Sequence, residues 1–101
     1  MIVIRNVFRL KYGKAREALP LAKEALEIQR RVISGVDFSA RVLTDLTGPF
    51  YTLVVELTVP SLTAFETYAP RLFADKDFHA NQQKMVPLVD SGYREIFTIA
   101  D

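Results

Sequence analysis

Two polar side chains interrupt the apolar faces of predicted strands, and they are the first candidates for chemistry. Asn6 and Glu95 each stand where strand alternation calls for an apolar residue beneath helices. The predicted topology makes their strands antiparallel neighbours, so the two residues are expected to be cross-strand partners. A carboxylate under helices is costly unless it is hydrogen-bonded. The pair therefore indicates either a polar pocket or a plainer arrangement, in which Glu95 reaches water at the sheet edge while Asn6 bonds to backbone.

His79 is the only histidine in the chain, and histidine is the side chain best suited to acid–base catalysis near neutral pH. It lies near the start of a predicted helix beside Lys76 and Asp77, a setting that is more typical of an exposed surface residue. Asn6, His79 and Glu95 are the three catalytic candidates.

A pocket between the sheet and the second helical segment is expected to include three further residues that bind substrate. Tyr68 and Tyr93 are the tyrosines favoured for this role, because a buried hydroxyl needs a hydrogen-bond partner. Gln82 follows His79 on the predicted helix and lies above the same strands.

Composition excludes several classes of site. The 101 residues include no cysteine and one histidine, so thiolate metal sites, disulfides and a cysteine nucleophile are ruled out, and no metal site or cofactor is predicted. Thirteen Lys and Arg against twelve Asp and Glu leave a net charge of +1, which points to neither nucleic acid nor an anionic membrane. No stretch is long enough to span a bilayer and no signal-peptide core is visible, so a cytoplasmic protein is expected.

The elements that must position these residues follow from hydrophobic periodicity and turn signals. Pro20 interrupts the first helical pattern, where a kink or a nearby helix start is expected. A Gly48-Pro49 turn joins the second and third strands as a hairpin. The strands are predicted at about 2–11, 37–46, 50–59 and 93–99, and the helical segments at about 14–34, 63–73 and 76–88.

This β-α-β-β-α-β order predicts one ferredoxin-like α+β domain over residues 1–101, with an antiparallel sheet ordered 4-1-3-2 and both helices on one face. The other face is bare, and its predicted residues are too apolar for water and too charged for a core. We expect two copies to stack by this face as an isologous homodimer; the alternative is a partly exposed sheet with surface ion pairs. The residues assigned to it are Val3, Val7, Leu43, Val54, Ile96, Arg5, Arg9, Arg41, Arg94, Asp45 and Glu56.

The whole chain resembles the dimeric α+β barrel superfamily, near its NIPSNAP-like and antibiotic-biosynthesis monooxygenase-like families. The resemblance rests on the element order and the split second helix. It also rests on three sequence segments, which are Arg5-Asn6-Val7-Phe8-Arg9-Leu10 before Gly13-Lys14, Asp77-Phe78, and Pro87-Leu88-Val89-Asp90-Ser91-Gly92 before the last strand.

This resemblance implies a role for Asn6, since a strand-1 asparagine helps to bind or activate the ligand in the haem-degrading branch. That branch also needs a tryptophan and an axial histidine, and Tyr68 and Gln82 stand at those places, so haem degradation is not expected. The resemblance further implies cofactor-independent oxygenation of a polycyclic phenol, for which Asn6, Tyr51, Tyr68 and Tyr93 would supply polar and aromatic groups.

Two functional hypotheses result. In the first, a homodimer binds a small apolar or aromatic molecule between sheet and helices, and acts on it as a cofactor-free monooxygenase or isomerase-like enzyme. In the second, the protein is a non-catalytic assembly or regulatory module whose pocket is filled by its own side chains.

Overall fold

Four strands form one antiparallel sheet in the order β2-β3-β1-β4, which confirms the predicted topology. The computed structural model describes every residue from Met1 to Asp101, and the α+β, ferredoxin-like fold class is confirmed. None of the helices is both long and apolar enough to cross a membrane. The elements are β1 Ile2–Leu10, α1 Ala15–Val32, β2 Ser39–Thr44, β3 Thr52–Val59, α2 Leu62–Phe73, α3 Lys76–Met85, a 3-10 turn at Val86–Leu88, and β4 Val89–Thr98.

Small side chains make up much of the buried face of α1. Ala18, Ala22 and Ala25 are buried on one face of this helix. Pro20 lies inside α1 without ending it, and its ring is exposed. The helix ends at Val32, three residues before Gly35, which adopts a φ of 89° that favours glycine.

The last strand differs from the prediction in both its start and its faces. β4 begins at Val89 rather than at residue 93, and its register with β1 pairs Asn6 with Arg94 and Arg5 with Glu95. Directly paired residues share a sheet face, so Glu95 is on the bare face and is not the partner of Asn6. Arg94 and Ile96, predicted for the bare face, lie on the helix side instead.

The physical reason for this correction is the weak alternation of the strand itself. Tyr93 and Phe97 make one face of β4 partly apolar, while Ile96 does the same for the other. Side-chain alternation along a strand identifies the face beneath the helices only when one face is clearly more apolar. A one-residue error in the assignment moves every side chain to the other face of the sheet.

A row of alternating charges crosses the bare face through all four strands. In spatial order, it is Arg41, Glu56, Arg5 and Glu95. The successive ion pairs have nitrogen–oxygen distances of 2.8, 3.4 and 3.7 Å. A parallel apolar row lies beside it, formed by Leu43, Val54, Val7 and Tyr93.

Candidate functional site

A pocket of about 410 Å³ opens between the sheet and the helices, with walls from β1, β3 and β4 on one side and from α1, α3 and the last residue of α2 on the other. This volume falls within the range of small-molecule sites, and most of the lining is apolar. The lining residues are Asn6, Phe8, Ala22, Ala25, Gln29, Val55, Phe73, Phe78, Gln82, Met85, Tyr93 and Arg94.

A hydrogen bond between neighbouring strands forms the polar centre of the sheet wall. The Arg94 Nε donates to Asn6 Oδ1 at 2.7 Å. The two residues are directly paired in the β1–β4 register, so both side chains rise from the sheet towards the helices. Asn6 thus interrupts the apolar face as the sequence predicts, but its partner is a cation rather than a carboxylate.

Aromatic side chains of α2 pack beside this pair. The Arg94 guanidinium carbon lies 5.4 Å from the centre of the Phe65 ring, within the range of a cation–π contact. Phe65 in turn packs edge-to-face on Tyr68, with ring centres 5.4 Å apart. This stack helps to fix the position of the guanidinium at the pocket.

Tyr68 is fully buried, and its hydroxyl has no hydrogen-bond partner within the chain. Burial raises the pKa of Tyr68 to about 12, against a smaller opposing effect of the positive charge on Arg94. The hydroxyl therefore stays protonated at neutral pH and is a hydrogen-bond donor rather than a base. Tyr68, predicted to bind substrate, is not among the residues that line the pocket.

Two glutamines add polar groups to the helix wall. Gln29 on α1 is 6% exposed, and its Oε1 has no partner within the chain. Gln82 on α3 donates from Nε2 to Asn81 Oδ1 at 3.0 Å, which orients its amide. Asn81 itself is buried and ties α3 to α1 by donating to the Leu21 carbonyl oxygen at 2.9 Å and to Glu24 at 2.8 Å.

A glycine makes room for the aromatic wall at Phe8. Gly92 is paired with Phe8 across the β1–β4 ladder. A Cβ atom at this glycine would lie 3.0 Å from Phe8 Cδ1 and 3.2 Å from the Val7 carbonyl oxygen. A side chain at this position would therefore press on the ring of Phe8, which packs directly against the β4 backbone.

Helix α3 is fixed at its first turn by Asp75. Its carboxylate accepts from the backbone N–H groups of Asp77 and Phe78, both at 3.0 Å, and pairs with Arg31 of α1 at 3.0 Å. The Arg31 hydrogen bond, together with the Phe78 N–H, holds the pKa of Asp75 below its usual range. This cap positions the helix that carries Phe78 and Gln82 into the pocket.

The structure brings together only part of the predicted site. Asn6, Gln82 and Tyr93 line the pocket, although Tyr93 is 60% exposed and belongs by register to the bare face. Glu95 pairs with Arg5 on the opposite face, and His79 is exposed on α3 outside the lining.

Tyr51 lies elsewhere, in a second concavity with Tyr12, whose ring centre is 4.9 Å away. It precedes β3 with a φ of 61°, so its side chain leaves the regular alternation of that strand. The Asn6 pocket therefore does not include this tyrosine.

Two polar residues of the pocket, Arg94 and Gln29, were missed by sequence reasoning. Arg94 was assigned to the bare face, and only the correct register of β4 would have moved it beneath the helices. Gln29 lies four residues after Ala25 and seven after Ala22, on the same stripe of α1. A polar residue on an otherwise apolar helix stripe was thus a usable signal.

Chemically, the pocket combines an apolar body with hydrogen-bond donors and acceptors. Neither a carboxylate nor a histidine lines it, so the polar groups of the lining residues are the Arg94 guanidinium, the amides of Asn6, Gln29 and Gln82, and the Tyr93 hydroxyl. Guanidinium and amide N–H groups stabilise negative charge on a bound oxygen.

Solved structures with the same fold cover almost the whole chain. An uncharacterised NIPSNAP domain protein from Burkholderia xenovorans superposes with a TM-score of 0.85 at 20% identity, over 99% of this chain and 95% of that one. A NIPSNAP family protein from Agrobacterium tumefaciens gives 0.84 at 22% identity, over 99% and 93%. An antibiotic biosynthesis monooxygenase gives 0.76 at 16% identity, over 100% of both chains.

The likeness lies in structure rather than in sequence. No family model matches the sequence, and no curated protein matches it either. The predicted resemblance is confirmed at the level of the fold: the chain has the α+β fold of NIPSNAP-family proteins and of antibiotic biosynthesis monooxygenase-like proteins.

Proposed function

We propose that this protein binds a small apolar or aromatic molecule in the pocket between its sheet and helices. The observation that carries the proposal is an apolar space of about 410 Å³ with the Arg94–Asn6 pair in its wall. Polar groups placed in an apolar pocket are typical of sites that orient a ligand. The open volume favours this function over a module whose pocket is filled by its own side chains.

The catalytic part of the proposal is a cofactor-independent oxygenation with dioxygen as the oxidant: one oxygen atom enters the bound molecule, the other leaves as water, and the bound molecule itself supplies the four electrons. It is supported by the fold shared with an antibiotic biosynthesis monooxygenase. It is also supported by the donors of Arg94 and Asn6, which stabilise negative charge as it develops on a substrate oxygen. The positions of His79 and Glu95 outside the lining give no support to acid–base roles for them.

The protein is further proposed to act as a homodimer through the bare sheet face. The alternating row of Arg41, Glu56, Arg5 and Glu95 is complementary to itself. A two-fold axis that runs parallel to the strands through the middle of the row sets each arginine of one copy opposite a glutamate of the other. Exposed Tyr93 and Phe97 on the same face supply apolar area.

Pocket filling tests the binding function. N-phenyl-1-naphthylamine, a neutral dye that brightens in apolar sites, should bind the wild-type protein. Ala25 is buried and lines the pocket, so Ala25→Phe fills the space and should abolish the brightening while leaving a cooperative melting transition. Ala80→Phe is the matched control, because Ala80 is exposed on α3 outside the lining.

Three results would bear against the proposal. They are a wild-type protein that does not brighten the dye, equal brightening in Ala25→Phe, and equal loss in Ala80→Phe. Ala25→Leu serves as a milder filling variant if the phenylalanine disturbs folding.

A further inference from the structure

We propose that the molecule taken by this pocket is an aromatic acid, with a carboxylate bound by Arg94 and a hydroxyl or N–H donor facing Gln29. This inference rests on the proposed function, because it specifies the chemistry of the ligand of the same pocket. Arg94 is the only charged residue among the 12 that line the pocket. Its charge therefore makes an anion the preferred occupant.

The geometry of Arg94 favours a carboxylate, which has two oxygens, over an anion that offers only one oxygen. Its Nε is already used by Asn6, and one face of the guanidinium packs towards Phe65. None of the ion pairs of the chain includes Arg94. The two terminal nitrogens thus remain as a planar fork, which matches the two oxygens of a carboxylate.

Gln29 independently indicates a second polar group on the ligand. Its Oε1 is buried without a partner, on a residue that is 6% exposed and lines the pocket. A buried acceptor without a partner loses its hydration and gains nothing in return. Its oxygen is closed off in this structure, so the amide must rotate to meet a ligand donor, and the hydrogen bond that then forms is favourable. Gln29 belongs to the helix wall and Arg94 to the sheet wall, so the two groups engage different parts of one molecule.

The remaining wall defines the body of the ligand. Phe8, Val55, Phe78 and Met85 present aromatic, aliphatic and thioether surfaces to the space. Such surfaces accept a flat aromatic ring system, and sulfur is favourable at a ring edge. The resulting class is a hydroxylated or aminated aromatic carboxylic acid.

Calorimetric titration with three probes tests whether the pocket prefers a ligand that carries a carboxylate. 2-Naphthoate should bind about tenfold or more tightly than 2-naphthalenemethanol, since a charge-assisted bidentate contact replaces a neutral one. Arg94→Gln should remove this preference, and Arg94→Lys should restore only part of it because an ammonium has no planar fork. Arg71→Gln changes the net charge equally at an exposed residue of α2 outside the lining, and should keep the preference.

The third probe tests the contact with Gln29. 6-Hydroxy-2-naphthoate should bind the wild-type protein several-fold more tightly than 2-naphthoate, because its hydroxyl lies at the far end of the ring system from the carboxylate. Gln29→Met keeps a similar shape without an acceptor, and it should abolish the gain from the hydroxyl.

The outcomes separate the two levels of the proposal. Equal affinity for 2-naphthoate and 2-naphthalenemethanol in the wild-type protein, or a preference that survives in Arg94→Gln, overturns the aromatic-acid inference while leaving an apolar binding site. A Gln29→Met variant that retains the gain from the hydroxyl overturns the second contact. If the wild-type protein binds none of the three probes and does not brighten the neutral dye, the proposed function itself fails.

Discussion

A single hydrogen bond between Arg94 and Asn6 forms the polar centre of the sheet wall of the pocket. The bond is 2.7 Å long and joins two side chains that the sheet register sets side by side. Asn6 is half-buried and Arg94 is exposed, so the pair lies where the pocket meets solvent. Its contribution to the stability of the fold is correspondingly small, and its proposed role lies in binding.

Replacement of Asn6 by alanine should separate binding from stability. Asn6→Ala removes the acceptor that orients Arg94, so affinity for 2-naphthoate should fall several-fold while the melting temperature changes by only a few degrees. Calorimetric titration and thermal unfolding followed by circular dichroism measure the two effects.

Asn81→Ala is the matched control for this substitution. Asn81 is 1% exposed and bonds to Leu21 and Glu24 of α1, so its loss should destabilise the protein by about 1–3 kcal/mol. If Asn6→Ala melts as low as Asn81→Ala and still binds 2-naphthoate with wild-type affinity, Asn6 has a structural role instead.

The raised pKa of Tyr68 predicts how the stability of the protein changes at alkaline pH. Its pKa is raised from 10.0 to about 12 in the folded chain, so the unfolded chain releases this proton first. The stability associated with the proton is fully present below pH 10 and is lost as the pH rises towards 12. Between pH 9.5 and 11, the free energy of unfolding measured in urea should therefore fall less for Tyr68→Phe than for the wild type.

At neutral pH, the same substitution should increase stability by about 1 kcal/mol, because it removes a buried hydroxyl without a partner. Parallel losses of stability in wild type and Tyr68→Phe at alkaline pH would contradict the assignment. A destabilised Tyr68→Phe at pH 7 would show instead that the hydroxyl has a partner.

At the scale of the elements, side-chain hydrogen bonds and an ion pair hold α3, one wall of the pocket, against α1. Asp75 caps its first turn and pairs with Arg31, while Asn81 bonds to α1 in the middle of the helix. These contacts fix the position of Phe78 and Gln82 relative to the sheet. The pocket is therefore expected to widen or collapse if the cap is lost.

Asp75→Ala should lower both the melting temperature and the affinity for 2-naphthoate, because it removes the cap and the ion pair with Arg31 together. Asp77→Ala is the control: Asp77 contacts the same arginine at 3.2 Å, but its side chain caps nothing. Since the pKa of Asp75 is lowered by folding, this stabilisation is present above the usual pKa of an aspartate and disappears as the pH falls through the folded value. Equal melting temperatures for the two variants at pH 7 would contradict this role of the cap.

The elements also show how far sequence reasoning reaches. The order of strands and helices follows from periodicity and turn residues, and the hairpin of β2 and β3 follows from Gly48-Pro49. Which face of β4 lies beneath the helices does not follow from the sequence, because both of its faces carry aromatic or aliphatic side chains. Asn6 was identifiable as a polar residue on an apolar face, whereas Arg94 could be assigned to the pocket only from the strand register.

At the scale of the whole molecule, the bare sheet face of the single chain combines balanced charges with exposed apolar side chains. Its charges balance along one row, and the adjacent rows carry Leu43, Tyr93 and Phe97. Tyr93 is 60% and Phe97 50% exposed in the single chain. Burial of these aromatic side chains against a second copy would be favourable.

Light scattering at low micromolar concentration should therefore report twice the 11.5 kDa mass of the chain. Leu43→Glu adds a charge to the apolar row of the proposed interface and should yield the monomer, because the two-fold axis brings a second copy of that charge into the interface. Leu62→Glu is the control, since Leu62 is an exposed residue at the start of α2. A wild-type protein that scatters as a monomer would contradict the homodimer.

The pocket can be tested most directly through the side-chain amides that line it. Asn6, Gln29 and Gln82 each give a pair of NH₂ signals in a nitrogen–proton correlation spectrum of labelled protein, and Gln83 supplies a reference because it is exposed on α3 outside the lining. Titration with 6-hydroxy-2-naphthoate should shift the signals of Asn6, Gln29 and Gln82 along one saturable binding curve. Saturable shifts confined to other parts of the chain, or no shifts at all, would contradict the assignment of this pocket as the binding site.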